Sequence, residues 1–131
     1  VNEIEVELLT GSSDPEVASR ELLECGPELC VVTLGPEGSY FRVAEGGAYV
    51  PPFRVDTVDA TGCGDAFVAG LLWQLVNPAA AGAWREQLTV ARMRKVLRYA
   101  NAVGALTALP QGGIPSLPTA DRVEAFLTRQ P

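Results

Sequence analysis

The 131-residue chain contains no histidine and only three cysteines, Cys25, Cys30 and Cys63. The absence of histidine excludes a Ser-His-Asp or Cys-His nucleophile system. The spacing of the cysteines matches neither a zinc site nor a disulfide framework, and unpaired thiols favour a cytoplasmic protein. Cys63 is a poor candidate nucleophile, because no basic residue lies near it in the sequence.

Long apolar runs and an excess of positive charge are also lacking. No stretch approaches the length of about 18 apolar residues that a membrane-spanning helix needs, and the N-terminus has no signal-sequence pattern, so we expect no membrane partner. Ten basic residues against sixteen acidic ones give a net charge of -6, which argues against a nucleic-acid partner. Four basic residues do cluster, but at the helical spacing of a solvated face: Arg92, Arg94, Lys95 and Arg98.

The composition, 47% hydrophobic and 20% charged, is that of an ordinary globular protein. The chain is long enough to form one domain with a core. Apolar periodicity predicts helices, and two of their starts are marked by local signals. Asp14 is the predicted cap of one helix, with Pro15 at its first position, and Thr119 is the predicted cap of another. These helices cover residues 3–10, a segment from Pro15, and residues 64–76, 90–108 and 120–129. The tryptophans Trp73 and Trp84 are interpreted as packing residues.

Strand signals lie between the predicted helices. Leu29 to Leu34 form an apolar run with β-branched members, which predicts a buried parallel strand. Residues 39–44 and 48–50 predict an antiparallel pair, and residues 53–56 a further short strand. Alternating strands and helices predict an α/β fold with a largely parallel sheet flanked by helices. Asn77 to Ala83 form a small-residue loop, which we expect to be the most mobile segment.

The stretch Asp59-Ala60-Thr61-Gly62-Cys63-Gly64-Asp65 carries the strongest chemical signal. It runs directly into an apolar helical segment, so its glycines and the first N–H groups of the helix are suited to hold an anion. An aspartate at such a site is placed to take a proton from a nucleophile that attacks a phosphate. The residues therefore suggest phosphoryl transfer with Asp65 as the general base.

A Gly-x-Gly-Asp run is also typical of a plain turn that ends in a helix cap. A Walker loop is excluded, because no Gly-Lys-Ser/Thr follows. The dinucleotide fingerprint would need a glycine where Phe67 stands. The run by itself leaves the turn and the anion site open.

The stretch resembles the second signature of the ribokinase-like (PfkB) carbohydrate kinases, Asp-Thr-x-Gly-Ala-Gly-Asp. Ala60 and Cys63 depart from that signature, but neither change removes a backbone N–H. Four further segments are similar to family motifs in the family order: Asn2-Glu3-Ile4-Glu5, Thr33 to Gly38, Asn101 to Ala105 and Gln111 to Ser116. The tail from Ala102 to Pro118 is most similar to the fructokinase branch.

This resemblance implies an ATP-dependent kinase for a sugar hydroxyl, with fructose 6-phosphate as the expected product. Asp65 would be the base, the N–H groups of Gly62, Cys63 and Gly64 would stabilise the transferring charge, and Glu5 would help to organise Mg²⁺. The implied nucleotide contacts are Asn2, Thr33, Gly35, Glu37, Gly38 and Asn101. An implied K⁺ site would draw on Asp59, Thr61, Thr107, Pro110, Gly112 and Ser116.

Members of this family are about twice as long as the present chain. The resemblance therefore implies that residues 1–131 are the C-terminal nucleotide-binding part of a kinase domain, with the sugar-binding part and the lid outside this sequence. It also implies a homodimer for the full-length protein, and we expect the fragment alone to be unstable or inactive. Two alternatives stay open: a kinase for another sugar or a nucleoside, and a non-catalytic nucleotide-binding module.

Overall fold

The computed structural model of the protein describes residues 1–76 and 84–130. The chain divides into two compact units: Val1–Pro51 with Gly82–Lys95, and Pro52–Ala81 with Val96–Pro131. The predicted mobile loop, Asn77 to Ala83, lies outside the described residues. No helix within the described ranges is long and apolar enough to cross a bilayer.

The first unit combines two helices with a small sheet. The helices are α1 (Glu3–Thr10) and α2 (Pro15–Glu24), and the strands are β1 (Leu29–Thr33), β2 (Ser39–Val43) and β3 (Gly46–Val50). The strand order is β1-β2-β3 and both pairings are antiparallel, with Val31 opposite Phe41 and Phe41 opposite Ala48. Strands and helices together confirm the α/β class.

The prediction that β1 is a parallel strand is wrong for its pairing with β2. The turn between β2 and β3 contains only Ala44 and Glu45, and the link between β1 and β2 is also short. Connections of this length permit only antiparallel neighbours, because a parallel crossover needs a dozen or more residues. The parallel contact that is described is an isolated bridge between Asn2 and Thr33. The predicted strand over 53–56 is irregular backbone instead, directly after Pro51-Pro52, which supply no N–H donors.

The core of the first unit lies between the sheet and its two helices. It contains Val6, Ala18, Cys30, Val32 and Tyr40, and Leu22, Leu23 and Leu34 pack against it. Burial on β1 alternates, so Cys30 and Val32 point into the core while their neighbours are half-buried. The same burial raises the pKa of the Cys30 thiol above its usual value.

The second unit is mainly helical. It contains α3 (Cys63–Val76), most of α4 (Val90–Thr107) and α5 (Ala120–Arg129). Gly70 lets α3 approach α4 closely, since a Cβ there would lie 2.8 Å from Val103 Cγ2. The predicted inner side of α4 is confirmed, because all five of its members are buried: Val96, Leu97, Ala100, Val103 and Leu106. Thr119 precedes α5 as predicted, but its side chain makes no capping hydrogen bond.

The basic cluster of α4 is only partly the solvated face that its spacing predicts. In the first unit the Arg94 guanidinium donates a hydrogen bond to the Tyr49 carbonyl at 3.3 Å. In the second unit Arg98 lies over the Phe53 ring at 4.8 Å and donates to the Gln130 carbonyl. Arg94 therefore binds the backbone of β3, and Arg98 binds the backbone next to the end of α5.

Candidate active site

The first four residues of the family signature, Asp59 to Gly62, form a loop, here termed the signature loop. This loop ends where α3 begins, at Cys63. The first helical hydrogen bond runs from the Ala66 N–H to the Gly62 carbonyl at 2.9 Å. Gly62 has a φ of 78°, in the left-handed region where a Cβ is unfavourable. A glycine is therefore required at this position to turn the chain into the helix.

Several N–H groups at the start of α3 donate no hydrogen bond to the protein atoms that the structure describes. The Cys63 N–H donates to the Ala60 carbonyl at 3.2 Å, whereas those of Gly62, Gly64 and Asp65 have no acceptor among the described residues. A Cβ on Gly64 would have no atom within 4 Å, so the space beside it is open. The predicted anion hole stays a prediction, with Gly62 and Gly64 as its available donors. The Asp65 N–H is a further available donor that the sequence prediction did not name.

Asp65 is the third residue of α3 and is exposed. It does not cap the helix, which begins two residues before it. Its carboxylate makes no hydrogen bond or ion pair with the residues that the structure describes. The alternative of a simple helix cap is therefore removed, and a free carboxylate stands beside the unused N–H groups.

Asp59 joins the signature loop to the loop over residues 110–116. Its Oδ1 accepts the Thr61 N–H at 2.9 Å, and its Oδ2 accepts the Gly112 N–H at 3.0 Å. The Thr61 side chain and these two N–H groups lower the pKa of the Asp59 carboxyl below its ordinary value. The loops also touch at Thr61, whose Cγ2 would lie 3.7 Å from a Cβ on Gly113.

We predict that Asp59→Asn weakens the fold most at neutral pH. Asparagine cannot accept both N–H groups through its side chain, because one terminal atom is itself a donor. Since the folded pKa of Asp59 is lowered, its stabilising effect is present above the unfolded pKa of about 3.9 and is lost as pH falls through the folded value. Denaturation series from pH 7 to pH 2 should show the two proteins converging in acid. Asp56→Asn, at an exposed aspartate, is the control, and an equal gap at every pH would contradict the assignment.

The proposed K⁺ ligands fall in the second unit and are only partly brought together. Asp59, Thr61 and Gly112 are linked by hydrogen bonds, and the Ser116 hydroxyl would lie 4.0 Å from a Cβ on Gly112. Ser116 is 1% exposed and its Oγ has no partner in the described part of the chain. A buried hydroxyl without a partner and a set of oxygen donors are compatible with a hard cation.

The other two members of that set are less informative. The Thr107 hydroxyl donates to the Val103 carbonyl at 2.8 Å within α4, so it still has a lone pair to offer. Pro110 lies in the same loop as Gly112. Within residues 1–76 and 84–130 no three histidine, cysteine or acidic side chains converge as a metal cluster.

Asn2 and Glu5 form a capping box at the start of α1. The Asn2 Oδ1 accepts the N–H groups of Ile4 and Glu5 at 3.0 and 2.8 Å, and the Glu5 Oε2 accepts the Asn2 N–H at 2.9 Å. The pair thus has a structural role that accounts for its spacing. The Glu5 Oε1 is outside this box, so the structural role leaves one carboxylate oxygen for a water or a metal.

The predicted nucleotide loop lies next to this box. Asn2 bridges to Thr33 in parallel, and the Thr33 N–H donates to the Val1 carbonyl at 2.9 Å. Gly35 and Gly38 have φ values of 52° and 97°, so both positions of the loop demand glycine. Exposed Glu37 lies between them. The structure thus brings together the first-unit members of the nucleotide set.

Two further residues complete the description of the candidate positions. Asn101 is 8% exposed on α4, in the second unit, apart in sequence from the first-unit set. Ser39 follows the loop directly and is fully buried, and its Oγ has no partner among the described atoms. No sequence signal singles out Ser39, because a serine at a strand start is ordinary.

Cys63 is not an activated thiol. Burial raises the pKa of its thiol, and the nearby Asp59 charge raises it further. Its Sγ lies 3.9 Å from the Asp59 carbonyl oxygen. The prediction that Cys63 is a poor nucleophile is supported.

Residues 1–120 match the family model described as pfkB family carbohydrate kinase. The chain belongs to the pfkB family. Its relatives include "Probable fructokinase-2" of Arabidopsis thaliana, which is 41% identical over 132 residues, covering 99% of this chain and 38% of the relative. The predicted family and its fructokinase branch are thereby confirmed.

Solved structures of pfkB-type kinases superpose on the chain closely. Fructokinase from Vibrio cholerae O395, with fructose, ADP and calcium bound, gives a TM-score of 0.81 at 32% identity, covering 96% of this chain and 39% of that one. Aminoimidazole riboside kinase from Salmonella enterica, complexed with aminoimidazole riboside and an ATP analog, gives 0.80 at 33% identity, covering 98% and 41%. The ribokinase-like fold is confirmed, and this pfkB chain spans well under half the length of these proteins.

Proposed function

We propose that this pfkB chain is the nucleotide-binding part of a kinase that phosphorylates a sugar hydroxyl with ATP, with fructose as the acceptor and fructose 6-phosphate as the product. The observation that carries the proposal is the start of α3. There an exposed Asp65 carboxylate without a described partner stands beside the unused N–H groups of Gly62 and Gly64. Fructose is proposed as the acceptor because one relative is named a probable fructokinase and a solved fructokinase holds fructose.

In the proposed reaction the Asp65 carboxylate takes the proton of the sugar hydroxyl. The hydroxyl oxygen forms a bond to the γ-phosphorus, and the bond from that phosphorus to the β–γ bridging oxygen breaks, so that ADP leaves. The N–H groups at the start of α3 point at the charge that develops on the phosphoryl oxygens. Because a helix start is already ordered, these dipoles stabilise the charge without reorganisation.

The first unit would hold the nucleotide. In this proposal Thr33, Gly35, Glu37 and Gly38 lie on the phosphate side of the nucleotide together with Asn2. Asn101 is kept as a separate proposed nucleotide contact. Mg²⁺, when bound, supplies charge neutralisation on the phosphates. Glu5 would orient its water shell through Oε1, since Oε2 is held by the capping box.

A monovalent cation is the second proposed cofactor. Its candidate ligands are the oxygens around Asp59 and the loop over 110–116, where the unpartnered Ser116 hydroxyl is the supporting observation. A cation there would stabilise the conformation of the signature loop, because Asp59 accepts hydrogen bonds from the N–H groups of Thr61 and Gly112.

The remaining proposals concern the whole protein. We infer that residues 1–131 are the C-terminal part of the kinase domain, that the full-length protein is a homodimer, and that it works in the cytoplasm. The three cysteines are all unpaired, which agrees with a reducing compartment.

A second candidate acceptor is a nucleoside, because a neighbouring structure holds aminoimidazole riboside. The deciding experiment measures ATP-dependent phosphorylation of fructose, ribose and aminoimidazole riboside by the purified protein, together with its intact mass. We expect the highest kcat/KM with fructose, and a mass above the 13.9 kDa of this chain. Higher turnover with the riboside would replace the acceptor. Nucleotide binding without turnover on any acceptor, at a mass of 13.9 kDa, would favour the non-catalytic module.

A further inference from the structure

The hydroxyl of Ser39 is a buried polar group that the described structure leaves unsatisfied. Ser39 is 0% exposed, and its Oγ has no hydrogen-bond partner among the described residues. A hydroxyl that is removed from water without a partner destabilises the state in which it occurs, so such groups are rare in folded proteins. Packing alone does not explain a serine here, because alanine would fill nearly the same space without that penalty.

The sheet around Ser39 surrounds the hydroxyl with mainly apolar neighbours. Ser39 begins β2 and is paired with Thr33 on β1 and with Val50 on β3. Directly paired residues share one face of a sheet, and the side chain two positions further along the strand, Phe41, lies on that face as well. The Thr33 hydroxyl donates to the Val1 carbonyl at 3.4 Å. The Ser39 hydroxyl is thus an isolated polar group at one end of an apolar face.

That end of the face lies at the predicted nucleotide loop, which runs from Thr33 to Gly38 and leads directly into Ser39. In the loop the Gly38 N–H donates to the Gly35 carbonyl at 3.3 Å, which is longer than the roughly 2.9–3.0 Å most common for such bonds. Gly38 has a φ of 97° and a ψ of -134°, a combination that is open essentially to glycine alone. Its neighbouring peptide units can therefore rotate without the clash of a Cβ, and the long bond can be exchanged for another.

A nucleotide phosphate is the ligand that would cause this exchange. An anionic oxygen is a stronger acceptor for an N–H group than a neutral carbonyl is. When the Gly38 N–H turns to a phosphate oxygen, the carbonyl of the same peptide unit, which belongs to Glu37, turns in the opposite direction. In the described part of the chain that carbonyl accepts no backbone N–H. Glu37 lies two residues before Ser39, and serine hydroxyls form hydrogen bonds with backbone groups at such short separations.

We propose that Ser39 is a positioning residue for the nucleotide loop. Its hydroxyl is unsatisfied while the loop is free, and it gains the Glu37 carbonyl as an acceptor when a phosphate draws the Gly38 N–H away from Gly35. The bound state therefore relieves a penalty that the free state carries, and this difference couples the loop conformation to nucleotide affinity. This role rests on the proposed nucleotide binding, but not on which sugar accepts the phosphoryl group.

Ser39→Ala in the full-length protein tests this role by two measurements with different expected directions. Calorimetric titration without sugar should show the affinities for ATP and ADP each falling about three- to tenfold, the usual effect of one neutral hydrogen bond formed only in the complex. Thermal unfolding without nucleotide should give an equal or higher midpoint, because the change removes a hydroxyl that the free protein leaves unsatisfied. At saturating ATP kcat should stay within about twofold, so the loss appears in KM for ATP.

Ser19→Ala is the matched control, because Ser19 is also a fully buried serine of the first unit. Its hydroxyl is satisfied, since it donates to the Glu16 carbonyl at 3.1 Å and accepts a hydrogen bond from the Arg42 Nε at 3.1 Å. The control should therefore lower the midpoint of thermal unfolding and leave the affinities for ATP and ADP unchanged.

Two results with Ser39→Ala would overturn the proposed role. A loss of stability without nucleotide as large as that of Ser19→Ala would show that the hydroxyl has a partner in the free protein. Unchanged affinity for both nucleotides would show that it gains none in the complex. Failure of the proposed reaction is visible separately, in the wild-type protein: nucleotide binding without transfer to any sugar would refute the reaction, and the affinities of Ser39→Ala would still decide the role of Ser39. A wild-type protein that binds neither nucleotide would refute both.

Discussion

Asp65→Asn should reduce kcat for sugar phosphorylation by a factor of about 10²–10⁴, which is the usual contribution of a positioned general base. The amide has nearly the same shape but cannot take the proton of the acceptor hydroxyl. ATP affinity should stay within roughly twofold, because the N–H groups at the start of α3 are unchanged. Initial rates of ADP release with saturating fructose, together with nucleotide titration, measure both quantities.

The matched control is Asp121→Asn. Asp121 is also an exposed aspartate in the first turn of a helix, α5, so the change removes the same charge from the first turn of another helix. It should leave kcat unaltered. If Asp65→Asn retained more than about a tenth of the wild-type kcat, Asp65 would be a charge at a helix start and no base.

The local elements were predictable because their signals are short-range. Asn2, Asp14 and Pro15 mark helix starts through backbone chemistry within one turn, and α1 and α2 begin where these residues indicate. The inner side of α4 follows from apolar periodicity alone. The turn of the signature loop was predictable for the same reason, because its backbone conformation requires a glycine at position 62.

The pairing of β1 was not predictable from its own residues. An apolar, β-branched run suits a buried strand in either direction, and the direction depends on the length of the link to its neighbour. The sequence predicted a turn around Glu45-Gly46-Gly47 and another at Gly35 to Gly38, but it did not show that the second turn leads into an antiparallel neighbour. The 3₁₀ turn over Gly35–Glu37 serves as both loop and strand reversal.

The candidate site shows how one residue can satisfy two demands. Asn2 and Glu5 were predicted from a family motif, and the structure explains their spacing by a capping box. The box alone would not require a carboxylate, because glutamine completes it equally well. The carboxylate of Glu5 is therefore more than the box requires, which agrees with the proposed role of Glu5 near Mg²⁺. By contrast, only the structure shows that the Ser116 hydroxyl is buried without a described partner, because no local pattern encodes that burial.

Gly62→Ala should reduce kcat by about 10²-fold while ATP still binds. At a φ of 78° a Cβ costs roughly 1–2 kcal/mol, so the loop relaxes away from the left-handed conformation. That relaxation turns the N–H groups of Gly62 and Gly64 away from the phosphoryl oxygens, and losing one such donor costs 10²–10³ in kcat in comparable sites, as an order of magnitude. Steady-state rates and thermal unfolding are measured on the same preparations.

Gly11→Ala separates the loop effect from loss of stability. Gly11 ends α1 at a φ of 74°, nearly the value of Gly62, and a Cβ there would meet no atom within 4 Å. Both variants should lose about 1–2 kcal/mol of stability for the same backbone reason. Only Gly62→Ala should lose the rate, because only its backbone leads into α3 and Asp65. Equal rate losses in the two variants would show that general destabilisation is the cause, and the orientation of the N–H groups at the start of α3 would then carry no part of the catalysis.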